Sequence, residues 1–308
     1  DATKGWIPVS DDAVVNAPVA PPTQKAIFGF GTTGSYTAVT NLVNSSGVVG
    51  SDVTGVGTAR HGLAAANFGG DKAIFGYGYS SAARVATTNL VSNEGVVASD
   101  TSGVGSVRYH LAAATFGGDK AIFGYGNTGS MVSITNLVSS SGVVATDTTG
   151  VGTARNGLGA AEFGVGLAIF AYGNGGSDVS MSNLVSNLGV VATDVSGVGT
   201  ARRFLAAASY GGDKAIFGYG IGGSSTATTN LVNSSGVIAA DVSGVGTARA
   251  ELAATSYGGD KAIFGYGVTG SNVSMTNLVN TSGVVAADVS GVGSARNTLA
   301  AAGYSFSA

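Results

Sequence analysis

The sequence predicts an all-β protein: a closed six-bladed β-propeller of four-stranded blades, its first blade completed by the C-terminal strand. Three observations carry that expectation. One unit of about 47 residues recurs six times. Each copy reads as four short strands, and the chain ends are out of phase by one strand, so the last copy holds a strand that the first lacks.

The period is read from two markers. An arginine ending "GVGTAR" or a near variant falls at Arg60, Arg108, Arg155, Arg202, Arg249 and Arg296, with spacings of 48, 47, 47, 47 and 47. The element "AIFGYG" begins at Ala26, Ala73, Ala121, Ala168, Ala215 and Ala262, degenerate as "AIFGFG" in the first copy and "AIFAYG" in the fourth.

Within a unit, "LAAAxF" or "LAAAxY" is the first strand, and its alanines suit the crowded position nearest an axis. A "GGD" turn then leads into "KAIFGYG", chemistry that suits a tight hairpin. After a polar loop come "TNLVS", a turn such as "SSG" or "NEG", and "GVVAxD". The apolar runs "AIF", "NLV" and "GVV" are continuous rather than alternating, as in strands covered on both faces. Helices are not expected, because no segment keeps a 3.6-residue apolar period and glycine interrupts every candidate.

The ends fit one another. The first copy starts at Lys25 with its second strand, whereas the last supplies a spare "LAAAGYSF" at Leu299–Phe306. Pairing that spare strand with Lys25–Phe30 ties the ring shut and removes exposed sheet edges. Residues 1–24 stand apart as a Pro-containing strap or linker, expected to anchor the domain to a larger assembly; they hold all four prolines and Trp6. Residues 25–308 are the repeat domain.

Composition narrows the function classes. Charged residues make up 10% of the chain and the net charge is -3, which argues against nucleic-acid partners and anionic membrane surfaces. No apolar run approaches the roughly 18 residues of a membrane span. Cysteine is absent, which excludes a disulfide scaffold and a thiolate metal site. The chain opens on Asp1 rather than Met and is expected to be a processed product or a fragment.

An arginine at the start of an inner strand, a hairpin into an apolar strand ending in glycines, and two further strands together resemble a kelch propeller. The match covers all six units and keeps the motifs loosely: "GYG" stands where kelch repeats carry a Gly-Gly pair, and Trp6 lies outside the repeats. The nearly uniform unit "TNLVS…GVVAxDxSGVGTAR…LAAA…GGDKAIFGYG" is also similar to repeats of bacteriophage virion and tail-associated proteins. That resemblance implies an extracellular or virion-associated role, with residues 1–24 contacting other virion proteins.

Variation between copies concentrates in two places. The pair after each arginine reads His61-Gly62, Tyr109-His110, Asn156-Gly157, Arg203-Phe204, Ala250-Glu251 and Asn297-Thr298. The loop after "FGYG" begins "TTGSY", "YSSAARV", "NTGSM", "NGGSD", "IGGSS" and "VTGSN". Numbering strands 1 to 4 from the axis outward, the 4-to-1 and 2-to-3 connections leave the same face, so both sets share one rim. A constant scaffold with one diversified rim reads as a recognition surface. Its expected ligand-contacting residues are Tyr36, His61, Tyr79, Arg84, Tyr109, His110, Asn156, Arg203, Phe204, Glu251 and Asn297. Aromatic, guanidinium and imidazole groups suit planar contacts and polar ligands, and the expected partner is a cell-surface glycan or protein receptor. Drift of unconstrained loops is the competing explanation, and it leads to a structural assembly component with no small ligand.

Each unit also holds an aspartate eight residues before its arginine: Asp52/Arg60, Asp100/Arg108, Asp147/Arg155, Asp194/Arg202, Asp241/Arg249 and Asp288/Arg296. Sixfold repetition predicts a structural role, as an Asp–Arg pair or as Asp capping of the "SGVG" turn. A ring of arginines capturing an anion at the channel mouth is the alternative.

Enzyme chemistry and cofactors are not expected. "SDVTGVGT" faintly echoes a sialidase Asp-box, but outside the repeated aspartates and the "GGD" turns the repeats hold only Glu94, Glu162, Asp178 and Glu251. Two histidines and no cysteine do not make a usual transition-metal site, although His61 and His110 belong to adjacent units and are able to approach.

Overall fold

The computed structural model describes residues 23–308; all but Thr23 and Gln24 of the expected N-terminal strap lie outside the described residues. The described chain is all β, with six three-stranded antiparallel sheets of the same construction. In the second sheet the strands are Ala64–Phe68 (inner), Lys72–Gly76 (middle) and Thr88–Val91 (outer). The third has Ala112–Phe116, Lys120–Gly124 and Thr135–Val138; the fourth has Gly159–Phe163, Leu167–Ala171 and Ser182–Val185. The fifth has Ala206–Tyr210, Lys214–Gly218 and Thr229–Val232; the sixth has Ala253–Tyr257, Lys261–Gly265 and Thr276–Val279. The first joins both ends of the chain: Lys25–Gly29 pairs with Thr40–Val43 on one side and with C-terminal Ala300–Tyr304 on the other.

Burial follows from this stacking. Ala73, Ile74 and Phe75 of a middle strand are fully covered, as are their counterparts in the other five sheets. One core cluster joins Ile74 and Tyr77 of the second sheet to Leu111, Ala121 and Phe123 of the third, so each sheet is a face of its neighbour's core. Inner strands alternate instead: Ala64, Ala66 and Phe68 are buried between sheets, while Ala65 and Asn67 are less covered and line the central axis.

Three runs of backbone hydrogen bonds link unit to unit, and each returns to its start. At one end of the axis Gly62, His110, Gly157, Phe204, Glu251 and Thr298 each donate N–H to the preceding member's carbonyl, at 2.7–2.9 Å. Farther from the axis, Gly31, Gly78, Gly126, Gly173, Gly220 and Gly267 donate to the carbonyls of Arg60, Arg108, Arg155, Arg202, Arg249 and Arg296. At the hairpin end, Gly69 donates to Asp119, Gly117 to Gly166, Gly164 to Asp213, Gly211 to Asp260, Gly258 to Gln24 and Ser305 to Asp71.

The expected fourth strand is reduced to isolated bridges. Val43 bridges Val49, but Thr40 bridges Val53, so one extra residue separates the two registers. This bulge interrupts the ladder. The Asn41 side chain fills the gap, its Nδ2 donating to the Gly50 carbonyl at 3.0 Å and to Asp52 Oδ1 at 2.9 Å.

That asparagine is the centre of the inter-strand network. Arg108 is fully buried; its Nε donates to the Tyr125 carbonyl at 2.9 Å and its Nη2 to Asn136 Oδ1 at 2.7 Å. Asn136 in turn donates to Asp147 Oδ1 at 2.9 Å, and Asp147 accepts from the backbone and hydroxyl of Ser106. The eight-residue Asp–Arg spacing is therefore not the pairing that forms. Asp147 approaches Arg108 at 4.0 Å rather than Arg155, and Asp100 approaches Arg60 at 4.0 Å, because the unit's outermost segment folds back beside the arginine that opens the same unit. Asp52 belongs with the last arginine, accepting from Ser294 and lying under the charge of Arg296. The arginines do not ring the channel mouth: all six have no exposed surface.

Candidate functional site

The two variable sets meet on one rim because the backbone pairs them. His61 lies opposite Tyr79, Tyr109 bridges Asn127, Asn156 bridges Asn174, Arg203 bridges Ile221, Ala250 bridges Val268 and Asn297 bridges Thr32. In each unit the residue two after the arginine turns toward the axis. His110, Phe204, Glu251 and Thr298 hold left-handed backbone there, with φ from 49° to 57°, and Gly62 and Gly157 occupy the remaining two places. Those glycines leave room for rings: a methyl on Gly157 lands 3.0 Å from Phe204, and one on Gly62 lands 3.2 Å from His110.

The side chains then converge. Tyr36 stacks on His61 at 4.7 Å between ring centres, Tyr79 lies 5.6 Å from Tyr109, and Tyr109 lies 4.4 Å from His110. His110 reaches across Gly157 to Phe204 at 5.0 Å, and the two histidine rings stand 6.0 Å apart. One contiguous aromatic surface thus spans the rim from Tyr36 to Phe204, every member half-buried. Two guanidinium groups flank it, Arg84 at 5.4 Å over Tyr109 and Arg203 at 5.7 Å over Phe204. Asn156, Glu251 and Asn297 share the rim but make no ring contact.

Electrostatics follow burial. Burial and the neighbouring His61 push His110 down to about 4, so it is neutral at physiological pH. Burial also lowers His61, and it raises Glu251, three places from His110 around the axial ring of hydrogen bonds. His61 Nδ1 and Arg84 Nε are buried with no hydrogen-bond partner among the described residues. No group of three His, Cys, Asp or Glu side chains fit to hold a metal occurs among the described residues.

Asp178 escaped the sequence reading of this rim. It joins Arg203 at 2.7 Å and Asn174 at 2.9 Å, fixing the guanidinium beside Phe204. Its signal was available, as the one acidic residue at a loop position held by Tyr36, Arg84, Met131, Ser225 and Asn272 in the other copies. The buried Asn41, Asn89, Asn136, Asn183, Asn230 and Asn277 were missed too; an amide kept in all six copies of an apolar strand was the clue. No protein-family model matches this chain, and no curated protein matches it in sequence.

Proposed function

We propose that the six sheets are the blades of a closed six-bladed β-propeller, and that the chain is a non-enzymatic recognition module, extracellular or virion-associated, whose variable rim binds a cell-surface glycan. The observation that carries the reading is convergence. Residues that differ between otherwise uniform copies assemble into one aromatic surface, Tyr36–His61–Tyr79–Tyr109–His110–Phe204, with Arg84 and Arg203 at its flanks. Rigid aromatic faces supply contact area to the C–H surfaces of a sugar at low entropy cost, and guanidinium forks supply donors to its oxygens. Unconstrained drift gives no reason for aromatics to gather across neighbouring units.

A glycan array tests this, run on the protein and on a variant carrying Tyr109→Ala, His110→Ala, Arg203→Ala and Phe204→Ala. Binding lost in a folded variant supports the rim. Binding kept unchanged, or no binding by either protein, counts against the glycan reading.

One observation favours the second reading, an assembly component with no small ligand. Val48, Val96, Val143, Val190, Val237 and Val284, one per unit, are 60–65% exposed along the outer segments. An apolar belt repeated in every unit suits lateral packing against other proteins. Concentration-dependent self-association, abolished by Val→Thr changes along the belt, is the outcome that reading expects.

A further inference from the structure

At the hairpin end of the axis, away from the aromatic rim, the inner strands enclose a cavity of about 130 Å³. Half of its wall is alanine, but one lining position changes from copy to copy: Asn67, Thr115, Glu162, Ser209 and Ser256, with Gly303 as the sixth counterpart beyond the lining. The polar residues present acceptors. Thr115 Oγ1 donates to Asn67 Oδ1 at 2.7 Å, and Ser209 Oγ to the Glu162 carbonyl at 2.8 Å. A hydroxyl whose proton is so engaged offers only lone pairs to its remaining surroundings.

Glu162 is the decisive residue. Its side chain is half-buried and lines the cavity, and among the described residues its carboxyl has no ion pair or hydrogen bond. A partly desolvated carboxyl without a partner is costly. Burial pushes it up to about 7, so it titrates near neutrality and any bound cation favours its charged form. Among the described residues no Lys or Arg lines the cavity, and its other titratable side chains are Tyr210 and Asp260.

We propose that this axial cavity binds a primary ammonium group, held by the Glu162 carboxylate with the Thr115 and Ser209 hydroxyl oxygens as further acceptors. The lining disfavours other occupants. An anion meets a carboxylate and no cation, while a divalent ion asks for more oxygen charge than one glutamate supplies. On this measure a water needs only about 10–15 Å³, so the space admits an amine with part of its stem. The site is independent of the rim and of any glycan it binds. A free amine and a lysine side chain share this chemistry.

Calorimetric titration at pH 8 and constant ionic strength separates the possibilities, using methylammonium, Nα-acetyl-lysine amide, tetramethylammonium and potassium chlorides. Saturable binding is expected for methylammonium, at least tenfold weaker for tetramethylammonium, which has no N–H, and for potassium. Binding of the lysine amide as well extends the site to a lysine side chain, and its failure restricts the site to free amines. Glu162→Gln should weaken binding at least tenfold. Equal responses to all four salts, no response to either amine, or an unchanged affinity in the variant overturns the proposal. A wild-type ¹³C titration of the Glu162 carboxyl gives a second measurement: methylammonium must move its midpoint below about 7, and an unmoved midpoint overturns the site.

Discussion

The guanidinium carbon of Arg108 lies 4.2 Å from the ring centre of Tyr77, which belongs to the preceding repeat. The same contact recurs in every unit at 4.2–4.3 Å, with Phe30 standing in for tyrosine under Arg60. Each arginine therefore ties its own middle strand, through the carbonyl it caps, to the neighbouring unit through the ring, and all but Arg296 also hold their own outer strand through asparagine. The tyrosine hydroxyl adds a bond to the next connection, Tyr77 donating to the Val104 carbonyl at 3.0 Å.

Ring and hydroxyl are separable. Tyr77→Phe removes one hydrogen bond and should cost about 1 kcal/mol. Tyr77→Leu also removes the face beneath the buried guanidinium and should cost about 2–4 kcal/mol. Phe30→Tyr should gain up to about 1 kcal/mol by adding the bond that the first unit lacks. Urea unfolding midpoints rank the three, and an equal loss in Phe and Leu variants would contradict the stacking role.

The six network aspartates predict acid sensitivity. Burial raises each carboxyl, but for Asp147 hydrogen bonds from Ser106 and Asn136 and the charge of Arg108 outweigh it and hold the group below its ordinary 3.8. Asp52, Asp100, Asp194, Asp241 and Asp288 are held down in the same way. A depressed carboxyl contributes stability that is complete above the unfolded value and disappears as pH falls through the folded one. Unfolding should therefore steepen below about pH 4. Asp147→Asn should flatten that limb in a pH series of thermal melts while lowering stability at neutral pH.

The two ends of the axis should respond to pH in opposite directions. His110 is held down to about 4, so its contribution is complete above 6.5 and is lost as pH falls toward 4. Glu162 is raised to about 7; its contribution is complete below 4.5 and is lost as pH rises through 7. Each shift corresponds to about 3 kcal/mol. His110→Gln should remove the stability loss between pH 6.5 and 4, and Glu162→Gln should stabilise the protein at pH 8 but not at pH 5. Melts of the two variants across pH 4–8 check both signs, and parallel curves would refute the assignment.

Much of this was legible in the sequence, because repetition converts one local reading into six. The spare strand Ala300–Tyr304, its pairing with Lys25–Gly29 and the shared rim of the two variable sets all follow from counting units. Chain spacing, by contrast, does not report spatial pairing: Asp52 sits eight residues from Arg60 yet serves Ser294, 242 residues away. The bulge that shortens the fourth strand has no turn residue to announce it; only the buried Asn41 and its copies betray it. The polar cavity position was hidden because a single varying residue inside "LAAAxF" looks like tolerated noise.

The fourth unit tests how tightly the stack is built. Elsewhere an inner-strand alanine pairs with a middle-strand glycine, as Ala64 does with Gly76. A methyl on Gly76 lands 2.7 Å from the Phe123 ring of the next unit, so that glycine is required by close approach. In the fourth unit the order is inverted, Gly159 pairing with Ala171, and a methyl on Gly159 lands 3.0 Å from Phe217. The single methyl has moved across the strand pair, which explains why the degenerate "AIFAYG" is accompanied by "LGAA". Gly159→Ala alone places two methyls against Phe217 and should cost about 1–3 kcal/mol by overpacking. Ala171→Gly alone leaves a gap and should cost about 1 kcal/mol. The double change restores the arrangement of the other five units and should be less destabilising than the sum by at least about 1 kcal/mol. Simple additivity in a double-mutant cycle would mean that Phe217 does not couple the two positions.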